Sequence, residues 1–269
     1  MNLKDTARAL FHGVLSPRQG VRVFGVGAAK TGTHSFAQMY ADRVRSAHEQ
    51  DCEHLIRLHL DAEKSGDRSE LKTFLRRKDR VQTLKINASQ VNIYLLNDVL
   101  EIWPDSRFVL TIRPPMSWLR SIIDDSLRRD VSDVWMRFRD YRFSTVDPLL
   151  EEEKALKDKG LHPLSGYLSY WADSITTVTH KVPTDQLLVV KAETLYERSA
   201  EIAEFCGVPG GAVSKERSHA FANTTRFGVL ADVPEHHLFA VAEKTCGHLM
   251  ATHFPERDLK QDVSDIRAA

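Results

Sequence analysis

Cysteine is scarce in this chain, because its 269 residues include only three, Cys52, Cys206 and Cys246. They are odd in number and far apart in the sequence, and no CxxC pair is present. This usage excludes a disulfide framework and a zinc ribbon, both of which need paired cysteines. Scattered free cysteines are typical of a reducing compartment, so the sequence predicts a cytoplasmic protein.

An excess of charge of one sign is also missing, because 37 basic side chains are balanced by 37 acidic ones. A general nucleic-acid binder or a polybasic membrane-surface protein would need a basic excess. We therefore expect neither a nucleic acid nor a membrane surface as a partner. Any site for an anion must be created locally, by a few side chains and backbone groups.

Long hydrophobic runs are absent as well. No stretch approaches the roughly 20 consecutive apolar residues that a membrane-spanning helix needs. The apolar run before residue 20 is short and is interrupted by His12 and Gly13, which does not fit a signal peptide. We therefore expect no integral membrane association.

Short apolar segments alternate along the chain with segments of helical periodicity. The expected strands cover residues 21–27, 81–86, 107–112 and 187–190. The expected helices cover residues 33–45, 51–62, 65–80, 91–103, 116–128, 130–156, 162–180, a segment that ends at 205, and 234–250 as the last one. This alternation predicts an α/β fold with a mostly parallel sheet of about four to five strands, covered on both faces. Without a repeat or a composition break, we expect one domain over residues 1–269.

The loop between the first strand and the first helix, residues 25–35, is the most informative segment. Its small residues let the backbone wrap an anion, the helix start adds N–H groups, and Lys30 adds a full positive charge. It is not a Walker A motif, because Lys30 precedes Thr31-Gly32 and does not close a Gly-x-x-x-x-Gly-Lys sequence. The sequence thus predicts a phosphate-binding loop and disfavours a kinase that uses ATP.

Residues 30–35, Lys-Thr-Gly-Thr-His-Ser, resemble the 5′-phosphosulfate loop of sulfotransferases that use 3′-phosphoadenosine 5′-phosphosulfate (PAPS). The family pattern is Lys-Ser/Thr-Gly-Thr-Thr-Ser, usually after a proline. This chain departs from it at two positions, since Ala29 replaces the proline and His34 replaces one threonine. The resemblance implies a P-loop-like three-layer α/β/α fold.

A second match lies in residues 107–121, where the clearest strand ends at Arg113-Pro114 and Ser121 follows eight residues after the arginine. In the sulfotransferase family this spacing of strand, arginine and serine holds the 3′-phosphate of the donor. The resemblance implies that role for Arg113 and Ser121. The chemistry agrees, because a guanidinium binds phosphate through two hydrogen bonds and a serine hydroxyl adds another.

The resemblance extends to two further segments, and the order of elements agrees with the family over residues 20–230. Residues 84–87 stand where many cytosolic sulfotransferases have Lys-Thr-His. This implies that Lys85 is a second cation near the transferred group, with Asn87 in place of the catalytic histidine. Residues 221–228 match a cofactor-covering loop, which implies donor binding by Arg226.

The activity that the resemblance implies is transfer of a sulfuryl group from PAPS to a hydroxyl or amine of a small-molecule or carbohydrate acceptor. Lys30 would contact the bridging and transferred oxygens. The residues expected to bind the 5′-phosphate are Thr31, Gly32, Thr33, His34 and Ser35. No metal is required, because the lysine and the loop can bear the charge of the leaving phosphate. Helices within 45–80 and 125–180 are expected to form the acceptor site.

Two alternatives to this activity stay open, a P-loop-type nucleotide kinase and a nucleotide-binding protein without catalysis. The missing Walker A motif and the Arg113 and Ser121 pair disfavour the kinase, because ATP has no 3′-phosphate. The missing histidine at position 87 keeps the non-catalytic alternative open.

The general base is a separate question, since Asn87 cannot accept a proton. Several bacterial and carbohydrate sulfotransferases use a glutamate, and the nearest candidate here is Glu49, with His48 as the alternative. A competing interpretation is a capping box, in which Ser46 and Glu49 satisfy backbone N–H groups at the start of the second helix.

The segment 48–59 also contains several side chains that ligate metals in other proteins. Its sequence is not HExxH, however, because Cys52 stands in place of the second histidine. We therefore expect no metal site. His59 lies on the apolar stripe of the second helix, and we expect it to be partly buried.

Overall fold

The structure is a computed structural model that describes residues 21–144, 148–209, 213 and 226–268. The chain divides into two compact units. The described residues of the first unit are 21–27, 32–112, 177–209 and 213. Those of the second unit are 28–31, 113–144, 148–176 and 226–268. The expectation of a single domain over residues 1–269 stays a prediction.

A parallel sheet of five strands forms the centre of the first unit, and its order is β2-β3-β1-β4-β5. The strands are β1 Val23–Val26, β2 Ser46–His48, β3 Ile86–Ala88, β4 Arg107–Ile112 and β5 Leu187–Lys191. Helices flank this sheet, so the prediction of an α/β fold with a parallel central sheet is confirmed.

The helices of the described residues are distributed over both units. Those of the first unit are α1 Thr33–Met39, α2 Cys52–Ser65, α3 Ser69–Gln82, α4 Leu96–Ile102 and α9 Ser199–Cys206. Those of the second unit are α5 Pro115–Arg128, α6 Asp133–Phe143, α7 Lys154–Lys157, α10 Glu235–His253 and α11 Leu259–Ala268. Helix α8, Leu164–Lys181, begins in the second unit and ends in the first. No helix within the described ranges has both the length and the apolar character of a membrane span.

The sheet is buried on both faces because its strands carry large apolar side chains on each. On one face Phe36 of α1 and Ile202 of α9 belong to the same buried cluster as Val109 of β4. On the other face the ring of Phe24 stacks on that of Trp103, with centroids 6.0 Å apart. A Cβ at Gly25 would lie 2.6 Å from that of Ala88, so only glycine lets β1 and its neighbours approach this closely.

Several boundaries differ from the expectations. The first helix was expected to reach residue 45, but α1 stops at Met39. Strand β2 was not among the expected strands, and its three half-buried residues pair with β3. The strand expected at 81–86 is wrong as well, because α3 continues to Gln82 and β3 begins only at Ile86. Helix α11 follows the helix that was expected to be the last.

Candidate functional site

The order of the strands singles out one position at the carboxyl ends of the strands. After β1 the chain continues to β2 at one edge, whereas after β4 it continues to β5 at the other edge, and β1 and β4 are neighbours. In open parallel sheets ligands bind where the direction of winding reverses, outside the carboxyl ends of the two strands. The loops that leave these ends are the two segments that the sequence analysis singled out.

The loop after β1 has a backbone that few residues adopt. Lys30 has a φ of 68° and Gly32 has a φ of 105°, both in the left-handed region. The dihedral angle of Gly32 favours glycine, and a Cβ there would also lie 3.1 Å from Cδ1 of Leu195, which is a tight contact. The hydroxyl of Thr31 donates a 2.7 Å hydrogen bond to the carbonyl of Ala28, which closes a tight turn.

Buried aromatic side chains hold the backbone of both segments in the second unit. The indole N–H of Trp118 donates to the carbonyl of Ala29 at 2.7 Å, and the N–H of Ala29 donates to the hydroxyl of Tyr170 at 3.3 Å. The indole of Trp171 donates to the carbonyl of Arg113 at 2.9 Å. These hydrogen bonds fix the peptide groups that precede Lys30 and follow the end of β4.

A cluster of opposite charges surrounds the candidate lysine. The Nζ of Lys30 lies 3.2 Å from Oδ1 of Asp125, which also accepts from Arg128 at 2.9 Å and lies 3.3 Å from Nε of Arg129. Burial alone would raise the pKa of the Asp125 carboxyl, but Lys30, Arg129 and Arg128 hold this pKa below its ordinary value. Three cations and one carboxylate leave an excess of two positive charges. The chain as a whole is neutral, so this excess is local.

Arg113 is separated from helix α5 by Pro114 alone, and its Nε donates a 3.1 Å hydrogen bond to the hydroxyl of Ser117. Ser117, Ser121 and Asp125 follow one another at intervals of four residues, so they share one face of the helix. Sequence reasoning singled out Arg113 and Ser121 but missed Asp125, although the four-residue spacing from Ser121 pointed to it. The 3′-phosphate role of Arg113 and Ser121 stays a prediction.

Two histidines and a threonine meet in the first unit. The Nε2 of His48, at the end of β2, lies 3.1 Å from the hydroxyl oxygen of Thr33. The Nδ1 atoms of His48 and His34 are 3.3 Å apart, and the two rings are close to perpendicular. His48 is therefore in direct contact with two residues that were expected to bind the 5′-phosphate.

Glu49 follows β2 and does not cap the second helix. Helix α2 begins at Cys52 with Asp51 as its N-cap, and the hydroxyl of Ser46 donates to the carbonyl of Ala37. The capping-box interpretation is therefore wrong. The backbone of Glu49 is left-handed, with a φ of 52°, and its Oε1 accepts a 2.7 Å hydrogen bond from the side-chain amide of Gln90.

The structure contradicts the role expected for Lys85. This side chain is buried, and its Nζ donates to the carbonyl of Val21, which precedes β1. Lys85 itself precedes β3, so it lies at the amino end of the sheet. The two motif loops follow β1 and β4 at the opposite, carboxyl end. Asn87, in the middle of β3, lines a separate cleft with Phe24 and Trp103.

Arg226 lies in the second unit, while residues 221–225 of the expected cofactor-covering loop lie outside the described residues. Its Nη1 is 3.6 Å from Oδ2 of Asp124, a buried carboxylate whose Oδ1 accepts the backbone N–H of Phe227. A cleft of about 360 Å³ is lined by this pair together with Arg120 and Arg267. It is a second region of positive charge on α5 and the segments that pack on it.

Within the described residues, no group of three or more histidine, cysteine or acidic side chains is arranged to hold a metal ion. His59 is buried in α2, and its ring lies 4.9 Å from that of Tyr94. Burial lowers the pKa of this imidazole to about 4. The histidine is therefore a neutral core residue at neutral pH.

Comparison with known proteins gives one family match, because a family model described as a sulfotransferase domain matches residues 22–216. No curated protein matches the sequence. A solved sulfotransferase from Alicyclobacillus acidocaldarius is 16% identical, with a TM-score of 0.52 over 91% of this chain and 99% of that chain. The sulfotransferase domain of the Synechococcus PCC 7002 olefin synthase is 14% identical, with a TM-score of 0.41 over 93% and 94%. At these identities, the first structure supports the fold alone.

Proposed function

Because the chain belongs to the sulfotransferase domain family, we propose that it transfers a sulfuryl group from PAPS to a hydroxyl or an amine. The acceptor that we propose is a small molecule or a carbohydrate. The buried state of all three free cysteines is consistent with our proposal that the protein works in the reducing cytoplasm. Neither a nucleic acid nor a membrane is part of the proposed reaction.

One observation carries the proposal for the donor. Helix α5 begins beside Arg113, presents Ser117 and Ser121 on one face, and on that same face reaches Asp125, which contacts Lys30. A donor with a 3′-phosphate and a 5′-phosphosulfate needs cations at two separated points. The guanidinium and the ammonium provide these two points, and the three cations around Asp125 supply local positive charge.

The arginine distinguishes this donor from ATP. A bidentate guanidinium contact suits a terminal phosphate monoester, and ATP has none at its 3′ position. The loop lacks the Walker A sequence that cradles a triphosphate. We therefore propose PAPS, and not ATP, as the nucleotide that binds this site. Adenosine 3′,5′-bisphosphate would be the product left after transfer.

The residues of the proposed site have separate roles in the in-line displacement that transfers the sulfuryl group. When bound, PAPS supplies a sulfuryl group attached to a phosphate leaving group. Lys30 stabilises the negative charge that grows on the bridging oxygen as the sulfur–oxygen bond breaks. Thr31, Gly32, Thr33, His34 and Ser35 hold the 5′-phosphate, and Arg113 and Ser121 hold the 3′-phosphate. The acceptor oxygen or nitrogen bonds to sulfur and gives its proton to the base.

Glu49 is the base that we propose, with His48 as the alternative. Gln90 occupies one carboxylate oxygen of Glu49 and fixes the group, and the second oxygen can accept a proton. Both ring nitrogens of His48 lie within hydrogen-bonding distance of Thr33 and His34, so His48 would have to give up one contact to act as a base. We therefore assign His48 to the support of the phosphate loop.

The test of the donor is a thermal-shift comparison, because a ligand that binds only the folded state raises the melting temperature by mass action. Adenosine 3′,5′-bisphosphate is expected to raise it clearly more than ATP with magnesium. Equal shifts would favour a kinase. Transfer of label from ³⁵S-PAPS to a panel of alcohols, phenols, amines and sugars then identifies the acceptor, and bisphosphate binding without any transfer would favour a non-catalytic protein.

A further inference from the structure

Among the described residues, Asp125 is the carboxylate that lies against Lys30, and its role is not explained by the donor contacts alone. The side chain of Asp125 is 12% exposed, and that of Lys30 is 19% exposed. Solvent-exposed ion pairs contribute little to stability, but this ion pair is largely removed from water. The two residues are 95 positions apart, so the contact joins the phosphate loop to helix α5.

We infer that Asp125 is a positioning residue, which holds the ammonium of Lys30 in place and shares it with an anionic donor. This inference rests on the proposed function. Lysine has a flexible stem of four carbons, and its ammonium needs an anchor if it is to stay at one point before the donor arrives. In catalysis by positioning, a small misplacement of such a group lowers the rate far more than the binding.

Arg128 and Arg129 allow the ammonium of Lys30 to be shared between Asp125 and a donor. If Asp125 had only Lys30 as a partner, moving the ammonium toward a donor would leave a buried carboxylate unpaired, which is costly. Arg128 and Arg129 contact the same Oδ1 atom, so the carboxylate keeps two cationic partners when the ammonium turns away. The arrangement therefore allows Lys30 to move between Asp125 and an anion without stranding a charge.

Asp124, the residue before Asp125, also connects α5 to a cation. Asp124 is buried and accepts the backbone N–H of Phe227, and it lies near the guanidinium of Arg226. Two consecutive residues thus connect the helix to two segments that are far apart in the sequence, the phosphate loop and the segment at 226–228. The helix after Arg113 is in this way a common support for the cations of the proposed donor site.

The variant Asp125→Asn separates positioning from mere stability. It removes a negative charge beside an anion site, so we expect the Kd of adenosine 3′,5′-bisphosphate to fall by about threefold or to stay unchanged. It also removes the charged anchor of Lys30, so we expect kcat for release of labelled sulfate from PAPS to fall by about tenfold or more. The matched control is Asp130→Asn, an exposed carboxylate just beyond the end of α5, which should change neither quantity.

The measurements are calorimetric binding of the bisphosphate, kcat and KM for sulfate release, and the melting temperature. Parallel losses of binding, turnover and melting temperature would show a structural role and overturn the inference. Turnover equal to that of Asp130→Asn would overturn it as well. If the wild type neither binds the bisphosphate nor releases sulfate, the proposed function fails and the inference fails with it.

A second variant keeps the test decisive if Asp125→Asn does not fold. Asp125→Glu keeps the charge and all three cationic partners but moves the carboxylate by one methylene group. We expect bisphosphate binding within about twofold of the wild type, and turnover reduced by several-fold because the ammonium is displaced. Unchanged turnover in this variant would contradict a positioning role.

Discussion

The side-chain amide of Gln90 donates a 2.7 Å hydrogen bond to Oε1 of Glu49. The two residues follow neighbouring parallel strands, β3 and β2, and the N–H of Glu49 also donates to the carbonyl of Ala88. One hydrogen bond to the side chain and one from the backbone therefore hold Glu49 at the carboxyl end of the sheet. A group that is fixed in this way suits proton transfer better than a mobile surface acid does.

Replacement of Glu49 by glutamine tests its role as the base. Because glutamine keeps the size and polarity of the side chain but cannot accept a proton, we expect turnover to fall by about 100-fold. The melting temperature and bisphosphate binding should stay close to those of the wild type. The exposed Glu70→Gln is the control. Normal turnover in Glu49→Gln together with an inactive His48→Gln would move the role to the histidine.

Truncation of Lys30 should affect turnover more than binding. Lys30→Ala removes a charge whose contact strengthens as the leaving oxygen becomes negative, so we expect turnover to fall by about 100-fold or more. Bisphosphate binding should weaken by less than about tenfold, because other loop residues still hold the phosphate. Equal losses in both would contradict this role. The exposed Lys64→Ala should behave as the wild type.

The role of Arg113 is tested with two donors that differ by one phosphate. Arg113→Ala should weaken PAPS binding by about 2–3 kcal/mol, which is the scale of a lost charge-assisted contact. Adenosine 5′-phosphosulfate has no 3′-phosphate, so its affinity should hardly change. The exposed Arg137→Ala is the matched control. An equal loss for both nucleotides would refute the 3′-phosphate assignment.

Acid should destabilise the fold partly through His59. Burial lowers its pKa from 6.5 to about 4, so the unfolded chain binds more protons than the folded chain between these two pH values. The free energy of unfolding therefore decreases as the pH falls through this window, by about 3 kcal/mol from this group. In urea titrations His59→Gln should lose less stability on acidification than the exposed His54→Gln. Parallel pH profiles would contradict this prediction.

Local patterns predicted those strands whose residues are mostly apolar. Strand β4 has the predicted bounds, because five of its six residues are buried and Arg113-Pro114 follows directly and ends the strand. Strand β2 has no apolar run, and it forms only because Ser46–His48 pairs with β3. The interpretation of residues 81–86 failed for a related reason, since Val81 and Gln82 belong to the last turn of α3 and Lys85 precedes β3.

The candidate site was predictable only as far as neighbours in the sequence define it. Lys30 and Arg113 could be singled out because each lies in a short motif next to a strand. The contact of Lys30 with Asp125 joins positions 95 apart, and that of Glu49 with Gln90 joins positions 41 apart. Such contacts depend on which strands become neighbours in the sheet, and no local spacing encodes that order.

The indole hydrogen bonds also give the protein an optical signal of its own. Only four tryptophans are present, and two of them, Trp118 and Trp171, donate to the carbonyls of Ala29 and Arg113. Both indoles thus report on the backbone of the two proposed phosphate-binding segments. Intrinsic fluorescence can therefore follow a nucleotide titration without a dye, and Trp118→Phe and Trp171→Phe would assign the signal to one segment or the other.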